Sequence, residues 1–496
     1  MHPQLNETSR SRSRRRALRW ALAVAPALLI ALGACATNPV TGRSELSLVS
    51  SNQELKLGSD GYPAVVAEYG KYDDAALAAY VDSVGQRVAR VSHLPNLAWH
   101  FTLVDDPAVN AFAMPGGYIY VTRGILAYLS SEAQLAGVLG HECGHVTHRH
   151  TAEAMTRQTL YGLGMSVVEV AAPAFRPYSS AGQQALGLMF LTYSRQNENE
   201  ADALGVEYAT KAGYDPREIP ATYATLKRVS EASGSTIPIY LSTHPDPGAR
   251  EATTTTLSNA AAAGKTGLVI GQRDYLRHLE GLVFGTDPRQ GYFEGTMFYQ
   301  PEIGFRILFP SGWKTQNSRA SVAAQEPSGK SIMQLSIVQA GDDSPPQYVQ
   351  SLIGSGKLTA VKGAYEPLGP YDSWIGFAIT QGEKGPVTLD LAYIRGPGGN
   401  MFQILGESEV AGDQNDQKIL EAIRTFHAID ASHQHAVPAR VHLAPAPSAG
   451  TLRALLPQLE SDGAKPEEIA IVNGVDLDQP LPSGKTLKLV SKNAPH

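Results

Sequence analysis

The chain has 496 residues, and at roughly 150 residues per domain that length implies about three cores. Hydrophobic residues make up 43% and charged residues 18%, the balance of a soluble globular protein, which excludes a multi-span membrane protein. Lys and Arg number 41 against 47 Asp and Glu, so the net charge of −6 argues against a nucleic-acid partner, and two cysteines, Cys35 and Cys143, exclude a disulfide framework.

Six arginines between Arg10 and Arg19 lead into an apolar run from Trp20 to Leu32. A basic segment before an apolar stretch shorter than the ~20 residues of a spanning helix reads as an export signal over residues 1–34. The run closes on Leu32-Gly33-Ala34-Cys35, which resembles a bacterial lipobox. That resemblance implies cleavage before Cys35 and lipidation of Cys35. With Ala36 rather than Asp following, it also implies a periplasmic location, hung from the outer membrane. An ordinary secretory signal or an uncleaved anchor is the alternative. Residues 35–50, with Asn38-Pro39 and Thr41-Gly42, are expected to be a tether.

From residue 51 to 285 the pattern is largely helical. Ala75 to Val91 has the apolar spacing of a helix, and Leu97 to Val104 alternates as a strand does. A Pro115-Gly116-Gly117 turn precedes a second strand at Tyr118–Val121. Ser131 with Gln134 predicts a capping box that opens a further helix. On that helix lies His141-Glu142-Cys143-Gly144-His145, an H-E-x-x-H pattern. Histidines four apart share a helix face about 6 Å apart along the axis, so both can reach one Zn2+. Glu142, about 100° round the helix, stands beside the metal, where its carboxylate can take a proton from the attacking water. Cys143 is turned away and is expected to be a buried thiol. His148 lies roughly 10 Å from His141, too far to share one zinc, and His150 is expected at the solvent.

A catalytic zinc, one per chain, needs a third protein ligand. The acids of Glu198-Asn199-Glu200-Ala201-Asp202 open a helical run that ends near Ala212, before Gly213 and Pro216. Glu198 and Asp202 share a face, and Glu200 points elsewhere. Glu198 can complete a His-His-Glu site, with Asp202 one turn along, placed to bond a ligand or the substrate.

The H-E-x-x-H helix, the E-x-x-x-D of Glu198 and Asp202, and Asn110-Ala111-Phe112-Ala113-Met114-Pro115-Gly116-Gly117 resemble Peptidase family M48 in its soluble periplasmic branch. The resemblance covers about Ser51 to Arg250. It implies a gluzincin-type zinc endopeptidase with His141, His145 and Glu198 as metal ligands, Glu142 as general base and Asp202 as proton donor. It also implies that Tyr118–Val121 edges the cleft and pairs with an extended peptide, and that the substrates are misassembled envelope or outer-membrane proteins. His244, in Thr243-His244-Pro245-Asp246-Pro247 with Arg250 downstream, becomes by the same resemblance a possible fourth ligand that keeps the enzyme latent. Membrane-embedded relatives place spanning helices between the second His and the third ligand. Here that interval holds only Leu160–Phe175, interrupted by Glu169 and Pro173.

After Gly285 the pattern becomes short strands at Gly304–Phe309, Ser331–Ala340, Trp374–Thr380 and Thr388–Ile394, with helices near Gln347–Ile353 and Gln414–Phe426. This predicts an α+β domain over 295–430. Residues 431–449 read as a linker. The remainder, 450–494, resembles a divergent LysM module, which implies peptidoglycan as a partner; a generic packing or partner module is the alternative. The fold class is therefore multidomain α+β. The function is a lipid-anchored zinc endopeptidase of the cell envelope. A chaperone-like assembly factor and a peptidoglycan-binding lipoprotein are the alternatives, neither of which would need Glu142.

Overall fold

The computed structural model describes residues 35–162, 187–189, 191–232, 244, 247–382, 385–408 and 414–492. The expected signal, and residues 163–175 of the apolar stretch, lie outside them. Among the described residues no helix is long and apolar enough to cross a membrane.

A hairpin of β1 (Cys35–Thr37) and β2 (Ser44–Leu46) leads to α1 (Ser51–Tyr69), which opens on a Ser50–Gln53 capping box. Helix α2 (Ala75–Ala89) is capped by Asp74 and buries Leu77, Val81, Val84 and Val88, one stripe at helical spacing. Then come β3 (His100–Val104), β4 (Ala111–Met114) and β5 (Tyr118–Thr122). Gly116 and Gly117, at φ +81° and +90°, make the turn that folds β5 back on β4. β3 pairs with the other side of β5 in parallel, so the sheet order is β3-β5-β4. This corrects the expected edge strand: Tyr118–Val121 is the middle strand, and its backbone groups are used on both sides.

After α3 (Arg123–Tyr128) comes α4 (Glu132–Thr147), capped by Ser131, whose side chain accepts from the Gln134 N–H. The Gln134 side chain reaches back to the Ser130 N–H at 2.7 Å, one residue earlier than a capping box requires. The remaining helices are α5 (His150–Gly162), α6 (Arg195–Lys211), α7 (Ile219–Ala232), α8 (Pro247–Ala262) and α9 (Gln272–His278). α4 and α6 cross backbone to backbone. A Cβ on Gly140 would sit 3.0 Å from the Gly205 carbonyl oxygen, and one on Gly205 would sit 3.0 Å from the His141 nitrogen. Larger residues would force the helices apart, so these glycines set how closely the histidines approach the acids of α6. On the far side of α4, Leu135, Leu139 and the fully buried Cys143 join the apolar core, as expected for Cys143.

Residues 35–50 do not form a free tether. The buried Asn38 donates to His148 Nδ1 at 3.0 Å, the Leu48 N–H donates to Thr156 Oγ1 at 3.0 Å, and Arg149 donates to the Val49 carbonyl at 2.8 Å. The segment is docked beside α4 and α5 because its buried polar groups find partners there.

The middle domain holds a seven-stranded antiparallel sheet, in the order Thr359–Tyr365, Asp372–Gly382, Gly385–Arg395, Met401–Glu407, Ile332–Val338, Ser321–Gln325, Lys314–Asn317. Strand alternation sends Ala392, Ile394, Phe402 and Ile404 to one face, under the helix Gln414–Ile423. Leu391, Tyr393, Met401 and Leu405 go to the other, with Val349 of the helix Pro345–Gly354.

The chain then returns to where it left. The Phe284 N–H bonds the Ala439 carbonyl at 2.8 Å, and Val441 exchanges bonds with Gly281 and Leu282 at 2.9 and 2.8 Å. Arg440–Pro445 is a strand antiparallel to Thr486–Ser491, with helices Leu452–Leu455 and Pro466–Val472 between them. The expected linker therefore contributes a strand, and the last unit begins near residue 440 rather than 450. That unit shares one apolar core with the helical domain, where Val441, Leu452, Ile469 and Leu487 join Leu126, Leu129 and Leu276. Across this contact the fully buried Lys488 donates to the carbonyls of Ala127 and Leu129 at 2.8 and 2.5 Å.

Candidate metal centre

Helix α4 presents His141 and His145 one turn apart, and α6 presents Glu198 opposite them; His244 precedes α8. Ligand-competent atoms of His141, His145, Glu198 and His244 all lie within 4.8 Å of one another, and all four residues are buried. The two Nε2 atoms of His141 and His145 are 3.0 Å apart. His244 Nδ1 lies 3.4 Å from His141 Nε2 and 3.0 Å from Glu198 Oε1. The Glu198 oxygens are 3.6 Å from each of His141 and His145. Donors at about 2.0–2.1 Å from a tetrahedral cation are separated by roughly 3.3 Å, so these spacings fit one small divalent ion.

Two further observations bear on that fit. His141 Nδ1 is 2.9 Å from Asp202 Oδ1, and an ionised carboxylate can only accept, so the proton is on Nδ1. The Nε2 lone pair then points into the cluster. Both oxygens of Glu142 are buried with no hydrogen-bond partner among the described residues, and His244 Nε2 is 4.0 Å from Glu142 Oε1. A buried, unpartnered carboxylate is costly in a folded core unless a ligand or reactant meets it.

Burial pushes the Glu142 carboxyl upward, partly offset by the nearby His244 and His141. Burial also acts upward on Glu198, but His244, Arg250 and His141 outweigh it and the net shift is down. Asp202 follows the same logic, with Arg250 holding it well below the usual carboxylate range against its burial. His145 is driven far down by burial and by the surrounding imidazoles.

The expected residues thus converge as a set: His141, His145, Glu198 and His244 form one buried cluster, with Glu142 beside it. Asp202 lies behind His141, bonded to its outer nitrogen, to Tyr223 Oη at 2.6 Å and to Arg250 at 2.7 and 2.9 Å. Arg250 also reaches Glu198 Oε2 at 2.9 Å and lies over the Tyr223 ring at 4.6 Å. The sequence alone gives neither Arg250 nor Tyr223 a site role. Arg250 was visible in the T-H-P segment, and Tyr223 carried no signal. His148 stays outside the centre, as expected. His150 does not: it is fully buried, 2.9 Å from His145 through the two Nδ1 atoms, which overturns its expected place at the solvent. Tyr193 stacks on His145 with centroids 4.1 Å apart.

Residues 75–256 match Peptidase family M48. The chain is 36% identical over 157 residues to the mitochondrial metalloendopeptidase OMA1 of Arabidopsis thaliana, covering 32% of this chain and 31% of that protein. It is 32% identical to the beta-barrel assembly-enhancing protease of Escherichia coli, covering 43% and 45%. It is also 32% identical to OMA1 of Schizosaccharomyces pombe, covering 42% and 61%. The chain spans less than two thirds of the length of each of these relatives. The region similar to Peptidase family M48 contains both site helices and His244.

Proposed function

We propose that the protein is a zinc-dependent endopeptidase that cuts misassembled envelope or outer-membrane proteins from a lipid anchor on Cys35. The observation that carries this reading is the carboxylate of Glu142, buried and without a hydrogen-bond partner among the described residues, beside three convergent ligand-type side chains. A metal held only for structure needs no such group, which disfavours a purely chaperone-like role. The names of the relatives, metalloendopeptidase and beta-barrel assembly-enhancing protease, support the activity and the substrate class.

When bound by His141, His145 and Glu198, zinc would supply Lewis acidity to the scissile carbonyl and lower the pKa of water. Glu142 takes the proton of the attacking water as its oxygen bonds to the carbonyl carbon, and hands that proton to the amine as the C–N bond breaks. Asp202 holds His141 in the ligating tautomer, and Arg250 fixes Asp202 and Glu198 in turn. This assigns Asp202 to positioning rather than to proton donation. His244 lies between Glu198 and Glu142, among the ligand-type atoms, a placement that supports its role as a fourth ligand holding the resting enzyme latent. The last unit runs strand, helix, helix, strand, an order that supports the LysM-like reading and peptidoglycan as a ligand.

The test is cleavage of an unfolded outer-membrane protein by the mature, zinc-loaded chain beside Glu142→Gln. Cleavage by the wild type, with at least ~100-fold less by the variant at equal zinc content, is expected. Equal cleavage by both would overturn the reading.

A further inference from the structure

A second group of ligand-type side chains adjoins the centre. His148, His150 and Glu200 bring a ligand-type atom each within 4.8 Å of one another. A cavity of about 370 Å³ between the N-terminal hairpin and the start of α6 gives solvent access to His148 and Glu200. The positions of the protons decide whether the group is a second metal site.

Glu200, ionised, only accepts, and its Oε2 is 3.2 Å from His150 Nε2, so that nitrogen carries the proton. A neutral His150 then has only a lone pair on Nδ1. This faces His145 Nδ1 at 2.9 Å, so the bond needs its proton on His145. His145 Nε2 is thereby left as a lone pair aimed at His141, Glu198 and His244. On the outer side, Asn38 Oδ1 accepts from the Val40 and Thr41 N–H groups at 2.9 and 3.2 Å, which turns its amide nitrogen toward His148 Nδ1. An amide nitrogen only donates, so His148 carries its own proton on Nε2, 3.7 Å from Glu200 Oε2. Both imidazoles offer Glu200 an N–H. A cation at this group would need both nitrogens stripped, and the displaced proton on His150 would face the one on His145.

We infer that His150 and Glu200 are positioning residues that fix His145 in its metal-ligating tautomer, and that the group is not a second metal site. The chain of bonds runs Glu200, His150, His145, metal, with Gln196 donating to the other Glu200 oxygen, Oε1, at 2.9 Å and His148 standing beside Oε2. It repeats on His145 what Asp202 does for His141, with a buried imidazole placed between carboxylate and ligand. Such partners of ligating histidines typically change metal affinity by 10–100-fold when lost. The inference rests on His145 being a ligand, as proposed above, but it is read from zinc affinity rather than cleavage. A chain that binds zinc tightly and cuts nothing would sink the proposed function and leave this one standing.

The experiment measures zinc affinity by chelator competition, and zinc stoichiometry, on the mature chain. His150→Phe, which removes the acceptor, should weaken zinc binding 10–100-fold. His150→Asn, which can place an amide oxygen near the Nδ1 position, should recover most of that loss. Glu200→Leu, at a half-exposed position, should weaken binding less than His150→Phe, and Glu200→Gln less again. It decides the matter if His150→Phe does not fold. In the metal-free protein, imidazole nitrogen resonances should place the His145 proton on Nδ1. Unchanged zinc affinity in folded His150→Phe or in Glu200→Leu would overturn the inference. So would two zinc ions per chain falling to one in Glu200→Leu.

Discussion

The crossing of α4 and α6 and the middle-domain sheet are both buried cores, but they are filled with opposite chemistry. Between the helices lie His141, Glu142, His145, Glu198, Asp202 and Arg250, each 2% exposed or less. The sheet closes instead over Phe298, Phe305, Phe402 and Phe426. Apolar burial stabilises by roughly 25 cal/mol per Å² and asks nothing of direction. Buried charges cost free energy unless each is met by a partner; Asp202, Glu198 and Arg250 meet one another, and Glu142 alone of these acids has no hydrogen-bond partner among the described residues. The difference teaches where to look for chemistry: a domain that accepts this cost at one place uses that place.

Removing one ligand should break the comparison most strongly. Glu198→Ala takes away a carboxylate that meets both His244 and Arg250. Its zinc content should fall from about one per chain to near zero, read by elemental analysis after dialysis. Full zinc occupancy would move the third ligand elsewhere.

Truncation in the apolar region should act on folding alone. Phe402, fully buried, should cost about 3–5 kcal/mol on Phe402→Ala by its lost transfer energy and the cavity left. Denaturant unfolding should register that loss, while zinc affinity stays within twofold of wild type. A matching fall in zinc affinity would mean that the two cores are coupled.

Lys488 sharpens the contrast, because it is a charged residue type in a place with no proposed chemistry. Burial pulls its amine down to about 7, and a neutral amine still has two hydrogens for the carbonyls of Ala127 and Leu129. The unfolded lysine titrates near ~10.4. Between these values the unfolded chain binds the extra proton, so the contribution is fully present above about pH 10. It is lost as pH falls toward 7 and is level below that. Wild-type stability should therefore rise between pH 7 and 10 by on the order of a few kcal/mol relative to Lys488→Met. Parallel pH curves for the two proteins would refute it.

The smallest effect belongs to the latch. His244→Ala should raise basal cleavage a few-fold with zinc still held by His141, His145 and Glu198. An unchanged rate at equal zinc content would return His244 to a structural role.

Much of this was legible in the chain. Helical spacing at Leu77, Val81, Val84 and Val88 and the H-E-x-x-H pattern depend on local periodicity, and each landed where spacing placed it. The pairing of Glu198 with His141 follows from the third protein ligand that a catalytic zinc requires. What spacing does not carry is long-range partnership. His150 faces solvent or core depending on α6, which lies some fifty residues away in sequence, and only the fold puts Glu200 against it. Strand β5 read as an edge because nothing in Tyr118–Thr122 announces the parallel partner β3. The strand at Arg440 was hidden in a segment rich in Pro and Ala, since its pairing partner, Thr486–Ser491, is about 45 residues downstream.

The central claim is that one metal, held by His141, His145 and Glu198, makes Glu142 a catalytic base. A single titration tests it: zinc is added stepwise to metal-free protein while cleavage of an unfolded outer-membrane protein is followed. Activity should climb linearly and break at one equivalent, and Glu142→Gln should bind that same equivalent with its cleavage flat. Cleavage that is present without zinc, or that climbs equally in Glu142→Gln, would contradict it.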